Sequence, residues 1–332
     1  MIVTVTLNAA VDRTLTVPNF QFGHRHRASS RLTAAGGKGI NVARALKRLD
    51  TPVVATGLAG GRTGDRIVED LGLEGILSDF VRISDESRTS IAVVDPTAGA
   101  LTEVYEWGPA VRPDELQMLS DKLHYLSRVA SYVVFCGSLP RDVENGFYAD
   151  AIRDLNRRGI RCVLDCEGEP LRVGVEAEPY LVTPNQQEAE SLVGQEFMDE
   201  EDFVMALDTI ADLGARSVLI TQETACYALI REERRVQRFR ASIPRVEPIA
   251  PVGAGDVLLG GYLSERFNGR SVGDALRTAV GCAAASVVEL GAGRFDPREA
   301  ARLADGVEVV ELAPVEAENH NAAGRLRELA VG

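Results

Sequence analysis

The chain has 332 residues, 45% of them hydrophobic and 26% charged, so it can bury one large core or two modest ones without disulfides or structural metal. Its net charge of −13 argues against nonspecific binding to nucleic acid or to an anionic membrane surface. No apolar run approaches the ~20 residues of a membrane span, and five cysteines without a Cys-x-x-Cys pair predict reduced, partly buried thiols of a cytoplasmic protein.

The chain opens directly into an apolar, β-branched strand over Ile2–Leu7. No basic region precedes that strand, so we expect no secretory signal. The first 48 residues carry eight basic side chains and one acidic one, a local charge of +7, which leaves −20 for the remainder. A basic zone of this kind in an acidic protein suits a small anionic substrate.

Two segments, Thr14–Leu32 and Thr89–Tyr105, have no helical period. The second is typical of a hairpin that turns at 95–99, where Asp, Pro and Gly occur together. We predict that the two segments form a small β-sheet lid, with limits at about 12–34 and 88–107. Exposed strands often pair with another chain, so a homodimer through this lid is a further hypothesis.

From residue 110 onward, short β-branched runs alternate with amphipathic helical stretches. This alternation predicts an α/β fold in which helices cover both faces of a mostly parallel sheet. The predicted strands are Val53–Thr56, Tyr132–Cys136, Cys162–Asp165, Tyr180–Thr183 and Ser217–Thr221. The predicted helices are Val42–Leu49, Asn145–Arg158, Gln186–Val193, Glu201–Leu213, Gly255–Glu265 and Ser271–Glu289.

Polar residues or glycines follow nearly every predicted strand. Ligands of open parallel sheets bind beyond the carboxyl ends of the strands, so these positions predict the rim of an active site. The positions are Asn8, Gly57, Gly137, Ser138, Asp165, Pro184, Asn185, Thr221 and Gln222.

The first motif is Ala-Gly-Gly-Lys-Gly-Ile-Asn at 35–41, which leads into a predicted helix. It is not a Walker A loop, because Gly rather than Ser or Thr follows Lys38. Its glycines let the backbone approach a ligand, Lys38 adds a positive charge, and Asn41 can hydrogen-bond to hydroxyl groups. The alternative is a plain strand-to-helix turn with a solvated lysine.

The second motif is Pro-Val-Gly-Ala-Gly-Asp at 251–256, ahead of an apolar helix. Glycines at a helix N-terminus leave backbone N–H groups unpaired at the positive end of the helix dipole, where they can bind an anion. Asp256 could then accept a proton from an attacking hydroxyl. In the alternative interpretation, Asp256 only caps the helix.

Together these two motifs resemble the two signatures of the PfkB/ribokinase family of carbohydrate kinases, and the resemblance extends over about residues 1–310. The segments at 6–12, 137–140 and 164–166 are similar to the branch of 1-phosphofructokinase and tagatose-6-phosphate kinase. The resemblance implies a single three-layer α/β/α ribokinase-like domain over 1–312, with a β-lid and a surface tail at 313–332. It also implies transfer of a phosphoryl group from ATP to a sugar hydroxyl, with Mg²⁺.

The resemblance also implies roles for individual residues. Asp256 would be the catalytic base, beside an anion hole formed by the amides of Gly253, Ala254 and Gly255. Asp12, Gly37 and Asn41 would hold sugar hydroxyls. The resemblance assigns the remaining residues to the nucleotide, the metal or the phosphate of the sugar. Asn185, Glu188 and Thr221 would border the nucleotide, with Glu188 organising magnesium, while Arg27, Lys38, Arg88 and Ser138 would bind the sugar phosphate, with Arg141 as a weaker candidate.

The chain departs from the family pattern at three places. Ala250 stands where the second signature usually begins with Asp, and Thr183 replaces a common Lys. The third departure is Gln-Glu-Thr-Ala-Cys at 222–226, where the family carries Leu-Gly-x-x-Gly beside the ATP phosphates. Glu223 therefore has three possible outcomes: it turns outward, it orients Mg²⁺, or it blocks the nucleotide. We expect an active kinase with weakened nucleotide affinity and a steep magnesium requirement.

The resulting prediction is an ATP-dependent kinase of a hexose phosphate: fructose 1-phosphate, tagatose 6-phosphate or fructose 6-phosphate. Two alternatives remain open. One is a kinase of the same fold for an unphosphorylated sugar or a nucleoside, which the cations Arg27, Lys38 and Arg88 disfavour. The other is a catalytically silent sugar-phosphate sensor, which the altered 222–226 segment favours.

Overall fold

The computed structural model describes residues 1–232, 235–244, 246 and 252–314. The departure at Ala250 and the tail from residue 315 onward lie outside the described residues. The strands are β1 Ile2–Thr6, β2 Ala10–Thr16, β3 Ser30–Gly36, β4 Val53–Gly60, β5 Leu77–Ile83, β6 Arg88–Asp95, β7 Ala100–Tyr105, β8 Tyr132–Cys136, β9 Arg161–Asp165, β10 Leu181–Val182, β11 Val218–Thr221, β12 Ala225–Glu232, β13 Arg235–Ser242 and β14 Glu308–Leu312. The helices are α1 Lys38–Arg48, α2 Gly61–Leu73, α3 Pro113–Ser127, α4 Phe147–Arg157, α5 Gly168–Val175, α6 Gln186–Val193, α7 Glu200–Leu213, α8 Ala254–Phe267, α9 Val272–Ser286 and α10 Pro297–Ala304.

A ten-stranded sheet forms the centre of the molecule, in the order β14-β13-β12-β11-β10-β9-β8-β1-β4-β5. The seven strands from β11 to β5 in that order pair in parallel. All five residues of β1 are buried because helices cover both faces of the sheet. Leu119 of α3 and Ile152 of α4 belong to the core on one face, and Ile40 of α1 and Leu258 of α8 to the core on the other. The predicted three-layer α/β/α fold is confirmed.

Three strands at one end of the large sheet, β12, β13 and β14, pair in antiparallel fashion and were not predicted. Basic residues in β13 obscure its strand pattern. Arg238 and Arg240 form ion pairs with Asp208 and Glu200 of α7, so their charges are neutralised by a helix that is distant in sequence.

The small sheet has the order β3-β2-β6-β7. Its two hairpins are antiparallel, and β2 pairs with β6 in parallel, with Asp12 opposite Ser90. Side chains alternate along a strand, so this sheet has two different faces. Asp12 and Ser90 face a cavity above the large sheet, whereas Val11 and Arg13 line a second cavity on the opposite face.

Helix boundaries differ from the prediction by a few residues. α1 begins at Lys38, four residues earlier than predicted, because Gly37 adopts a φ of 111° and starts the helix directly after β3. α4 and α9 are shorter than predicted at both ends, and α8 extends two residues further, to Phe267.

All five cysteines are buried and unpaired. No helix in the described part of the chain is long and apolar enough to cross a membrane.

Candidate active site

A cavity of about 800 Å³ lies between the small sheet and the carboxyl ends of the parallel strands. It brings together side chains from both motifs and from the strand ends. The predicted site residues that line it are Asp12, Gly37, Lys38, Asn41, Arg88, Ser138, Asn185, Glu188, Thr221, Gly253, Ala254, Gly255 and Asp256. Six of the nine predicted rim positions line this cavity, whereas Gly57, Pro184 and Gln222 are not among the described residues that line it.

The glycines of the first motif allow three chain segments to approach one another. A Cβ on Gly36 would lie 1.9 Å from Oδ2 of Asp12, and a Cβ on Gly39 would lie 2.4 Å from Oγ1 of Thr6. Neither position has room for a side chain. The motif thus packs the end of β3 against Asp12 of β2 and the first turn of α1 against Thr6 of β1.

Asp256 lies in the first turn of α8 and is 5% exposed. Gly253 begins that helix in the left-handed conformation, with a φ of 77°. The carboxylate of Asp256 accepts a hydrogen bond from Nδ2 of Asn41 at 2.8 Å rather than capping the helix, so the capping alternative does not describe this side chain. The hydrogen bond from Asn41 reaches Oδ2 of Asp256 and not Oδ1. Asp256 also lines the cavity.

A buried arginine fixes the orientation of Asn41. Nη1 of Arg44 donates to Oδ1 of Asn41 at 3.0 Å, so the amide nitrogen of Asn41 must point to Asp256. Arg44 is 2% exposed, is paired with Glu74, and also donates to the carbonyl groups of Ala35 and Ala292. The sequence analysis missed Arg44; its position one turn after Asn41 was the available signal.

Burial raises the pKa of Asp256 to about 7, and the negative charge of Asp165 adds to the rise. The positive charge of Lys38 and the hydrogen bond from Asn41 act in the opposite direction. A carboxylate with a pKa near neutrality can both accept and release a proton at physiological pH. Perturbed pKa values of this kind concentrate at functional sites.

Lys38 bridges two carboxylates at the floor of the cavity. Its Nζ lies 3.1 Å from Oδ1 of Asp165 and 3.5 Å from Oε1 of Glu188. Burial alone would lower the pKa of Lys38, but these carboxylates together with Asp256 outweigh burial and raise it well above its usual value. Lys38 is therefore a fixed positive charge in the cavity. The sequence analysis placed Asp165 on the rim without giving it a role.

The small sheet supplies the opposite wall. Nε of Arg88 donates to the carbonyl oxygen of Asn8 at 3.2 Å, and its guanidinium carbon lies 5.6 Å from the ring centre of Tyr105. Nδ2 of Asn8 in turn donates to Oγ of Ser138 at 3.1 Å. Burial raises the pKa of Asp12, against the opposing positive charge of Arg88. The small sheet thus contributes the cation of Arg88 and the carboxyl group of Asp12 to the cavity, and the segment after β8 contributes the hydroxyl group of Ser138.

Asn185 and Glu188 begin α6 as a reciprocal cap. Oδ1 of Asn185 accepts from the N–H of Glu188 at 2.9 Å, and Oε2 of Glu188 accepts from the N–H of Asn185 at 2.8 Å. In the described part of the chain, no three or more His, Cys, Asp or Glu side chains form a metal cluster. Magnesium in phosphoryl transfer is commonly held by one or two carboxylates together with substrate phosphates, so Glu188 beside a phosphate site fits that ion.

Two predicted site residues lie elsewhere. Arg27 is exposed in the segment between β2 and β3, and Glu223 is exposed in the turn between β11 and β12. Neither belongs to the described residues that line the cavity. Thr183 and Arg141 do line it, and the Arg141 guanidinium carbon lies 5.5 Å from the ring centre of Trp107.

Comparisons with known proteins identify the family of the chain. The profile of the pfkB family of carbohydrate kinases matches residues 3–299. The 1-phosphofructokinase of Rhodobacter capsulatus is 30% identical over 316 residues, which cover 95% of this chain and 99% of the relative. The 1-phosphofructokinase of Borreliella burgdorferi is 29% identical over 289 residues, which cover 87% and 92% of the two chains.

A solved structure shows the same fold. The crystal structure of phosphofructokinase-2 from Escherichia coli in complex with substrates and products has a TM-score of 0.84 and 27% identity, and covers 92% of this chain and 98% of that chain. The chain therefore belongs to the pfkB family of carbohydrate kinases, phosphotransferases that act on a sugar hydroxyl, and it is similar to the 1-phosphofructokinase branch.

Proposed function

We propose that this protein transfers the terminal phosphoryl group of ATP to a hydroxyl group of a hexose phosphate. The observation that carries the proposal is the buried Asp256 at the N-terminus of α8, in one cavity with Lys38 and Arg88. A general base, unpaired helix N–H groups and cations for two phosphates thus share one enclosed space.

Asp256 acts as the general base for the attacking hydroxyl group. Its raised pKa means that its conjugate acid forms readily when it takes the proton, and Asn41 holds the carboxylate in position. Charge in phosphoryl transfer is stabilised by donors that are already in place. The amides of Gly253, Ala254 and Gly255 supply such donors, because the first N–H groups of a helix have no partner within it.

The nucleotide side of the cavity is formed by Thr221, Asn185 and Glu188. Mg–ATP, when bound, supplies the phosphoryl group and neutralises charge on its oxygens. Glu188 has one oxygen on the N–H of Asn185 and the other 3.5 Å from Lys38, so it can orient a metal-bound water without losing its cap. A Cβ on Gly255 would meet no atom of the described residues within 4 Å, which is consistent with space for a phosphate at this turn.

The phosphate already on the sugar is bound by Arg88, with Lys38 and Ser138 beside it. Asp12, Gly37 and Asn41 bind the sugar hydroxyls. The names of the curated relatives favour fructose 1-phosphate as the first substrate to test. Tagatose 6-phosphate and fructose 6-phosphate are the other candidates, because epimers and phosphate positions are distinguished by geometry rather than by residue type.

The test is a coupled assay of ATP consumption with a panel of hexose phosphates and their unphosphorylated sugars. We expect turnover with one hexose phosphate, and we expect Asp256→Asn to lower kcat by ~10²- to 10⁴-fold while the sugar-phosphate affinity stays within a few-fold. Near-normal turnover of the variant would refute the base assignment. Binding of a sugar phosphate without any turnover of the wild type would instead identify a sensor.

A homodimer through the small sheet is also part of the proposal. Val104, on the edge strand β7, is 58% exposed, and Phe22, in the segment that also carries Arg27, is 99% exposed. Exposed edge strands and apolar side chains favour pairing with a second copy. Sedimentation of the wild type and of Val104→Lys tests this: a wild type that is monomeric at micromolar concentration contradicts it.

A further inference from the structure

A second cavity, of about 640 Å³, lies on the face of the small sheet opposite the candidate active site. One wall is the outer face of β2, β3 and β6, and the other is the first turns of α2, which packs against β2 and β3. The residues that line this groove are Val11, Arg13, Leu15, Arg31, Thr33, Arg62, Thr63, Arg66, Thr89 and Ile91. We call it the arginine groove.

The groove is positively charged, whereas the whole chain has a negative net charge. Among the residues that the structure describes, four arginines and no acidic residue line it, in a protein whose net charge is −13. Arg13 and Arg31 belong to the small sheet, and Arg62 and Arg66 to α2. Like charges repel each other, so an anion bound between the two walls would relieve the repulsion among these arginines.

Most of this positive charge is not offset by a neighbouring carboxylate. Arg66 pairs with Asp70 at 2.7 Å, whereas the side chains of Arg13, Arg31 and Arg62 take part in no ion pair with another described residue. Glu86 caps α2 by accepting from the backbone N–H of Thr63 at 2.6 Å, and it attracts Arg62 without forming an ion pair. Several guanidinium groups thus remain available to a ligand.

The chemistry of the lining indicates the ligand class. Guanidinium groups bind phosphate oxygens through paired hydrogen bonds. Val11, Leu15 and Ile91 add an apolar floor, and the volume suits a nucleotide-sized molecule rather than a single phosphate ion. We propose that the arginine groove binds a small molecule that carries two or more phosphate groups, at a site separate from the catalytic cavity.

The groove is placed to influence the catalytic cavity. On β2, Arg13 lines the groove while the adjacent Asp12 faces the catalytic cavity, and on β6 the same holds for Thr89 and Arg88. A polyphosphate that joins α2 to β2 would fix the small sheet relative to the large one. Such a ligand would therefore alter the affinity for the sugar phosphate, a consequence that rests on the proposed function.

The binding test uses titration calorimetry with inorganic pyrophosphate and, in a separate arm, with ADP. The proteins are the wild type, the groove variant Arg13→Gln/Arg62→Gln with one change in each wall, and the catalytic-cavity variant Arg88→Gln. The matched control is Arg153→Gln/Arg157→Gln, which removes the same charge from exposed positions of α4.

We expect the groove variant to weaken one class of pyrophosphate binding tenfold or more, while that class persists in Arg88→Gln and in the control. If ADP binds to the groove more tightly than pyrophosphate, the ligand is a nucleotide. If pyrophosphate binds more tightly than ADP, the ligand is a sugar-free polyphosphate or a bisphosphate metabolite. Either result supports the proposal.

Identical binding by the groove variant and the wild type would overturn the proposal. A changed oligomeric state of the groove variant with unchanged pyrophosphate binding would also overturn it, and would make the groove an interface between copies. Neither readout requires kinase activity, so failure here is distinguishable from failure of the proposed function. Thermal denaturation of each variant confirms that it is folded.

Discussion

At the scale of single residues, the burial of Asp256 and its proposed role as a base have opposite effects on its charge. Burial favours its neutral form, whereas its proposed role as a base needs the charged form. The nearby positive charge of Lys38 and the hydrogen bond from Asn41 partly compensate for burial. The balance leaves the carboxylate able to exchange a proton near neutral pH.

The pH dependence of the reaction follows from that balance. Because the pKa of Asp256 is raised to about 7, the carboxylate is protonated below this value and cannot accept a proton. We expect kcat/KM to fall about tenfold per pH unit below pH 7 and to level off above it. Initial rates between pH 5.5 and 9 measure this; a flat profile down to pH 5.5 would show that Asp256 keeps the usual pKa of a carboxyl group.

Arg44 is expected to act on catalysis through Asn41. In Arg44→Gln the amide of Asn41 is free to rotate and to present its oxygen to Asp256, which favours the protonated carboxyl group. We expect kcat at pH 7 to fall ~10-fold and the midpoint of the pH profile to move upward, with KM nearly unchanged.

The matched control for Arg44 is Arg48→Gln. Arg48 lies one turn later on α1 and donates to the carbonyl of Phe295 without contacting Asn41. We expect a loss of stability but an unshifted pH profile. Arg44→Lys, which keeps the charge beside Glu74, serves if the Gln variant does not fold. Equal pH profiles in all three variants and the wild type would reduce Arg44 to a purely structural role.

At the scale of elements, Gly253, which precedes α8, and Gly255, in the first turn of α8, have different structural roles. Gly253 has a φ of 77°, and a Cβ there would lie 2.9 Å from Cβ of Ala292, whereas a Cβ on Gly255 would meet nothing within 4 Å. We expect Gly253→Ala to lower Tm by several degrees, because strain of ~1–2 kcal/mol adds to a steric clash.

Gly255→Ala is the matched variant. We expect its Tm to change little, but its KM for ATP to rise severalfold, because the new methyl group enters the space left for phosphate. Denaturation curves and nucleotide kinetics on the two variants separate these effects. A Gly255→Ala enzyme with wild-type kinetics would mean that phosphate does not approach this turn.

The turn between β11 and β12 gives a third prediction at this scale. Glu223 is exposed and does not line the cavity, so water and salt screen its charge from a bound nucleotide. We now expect Glu223→Gly to change the Kd of Mg–ATP by less than threefold, with Glu188→Gln as the control that weakens binding. Calorimetry with and without Mg²⁺ decides: a tenfold gain in affinity in Glu223→Gly would show that Glu223 opposes nucleotide binding.

Helices and strands whose apolar residues recur with one clear period were predictable from the sequence. α6 and α7 match the prediction closely, and β8 matches it fully, because each carries a local pattern that its packing preserves. The start of α1 was missed, since Gly37 and Gly39 are poor indicators of a helix and only the packing against Thr6 makes Gly39 necessary.

Within the site, motif residues were predictable, but their partners were not. The sequence contains Asp165 and Arg44 as ordinary charged residues, and their contacts with Lys38 and Asn41 depend on the order of strands in the sheet. The position of Glu223 likewise depends on how a turn points, which no residue type determines. Long-range geometry was the missing information in each case.

At the scale of the whole molecule, the two sheets are interleaved along the chain. β2 and β3 leave the large sheet after β1, and the chain then builds β4, α2 and β5 before it returns as β6 and β7. The parallel pairing of β2 with β6 therefore joins two strands that are separated by the 71 residues from 17 to 87, most of which belong to the large sheet and its helices.

This interleaving constrains the order in which the protein folds. The central pairing of the small sheet joins β2 to β6, so we expect it to form after β1, β4 and β5 have aligned the chain between these two strands. Non-local pairing of this kind forms slowly, since loop closure must precede the contacts that reward it. In pulse-labelling hydrogen exchange during refolding, the amides of β1 and β4 should gain protection before those of β2 and β6. A refolding chain would accordingly pass through a state in which β1 and β4 are paired but the small sheet is unformed, and in that state the edges of β2 and β6 are open to chaperones and proteases.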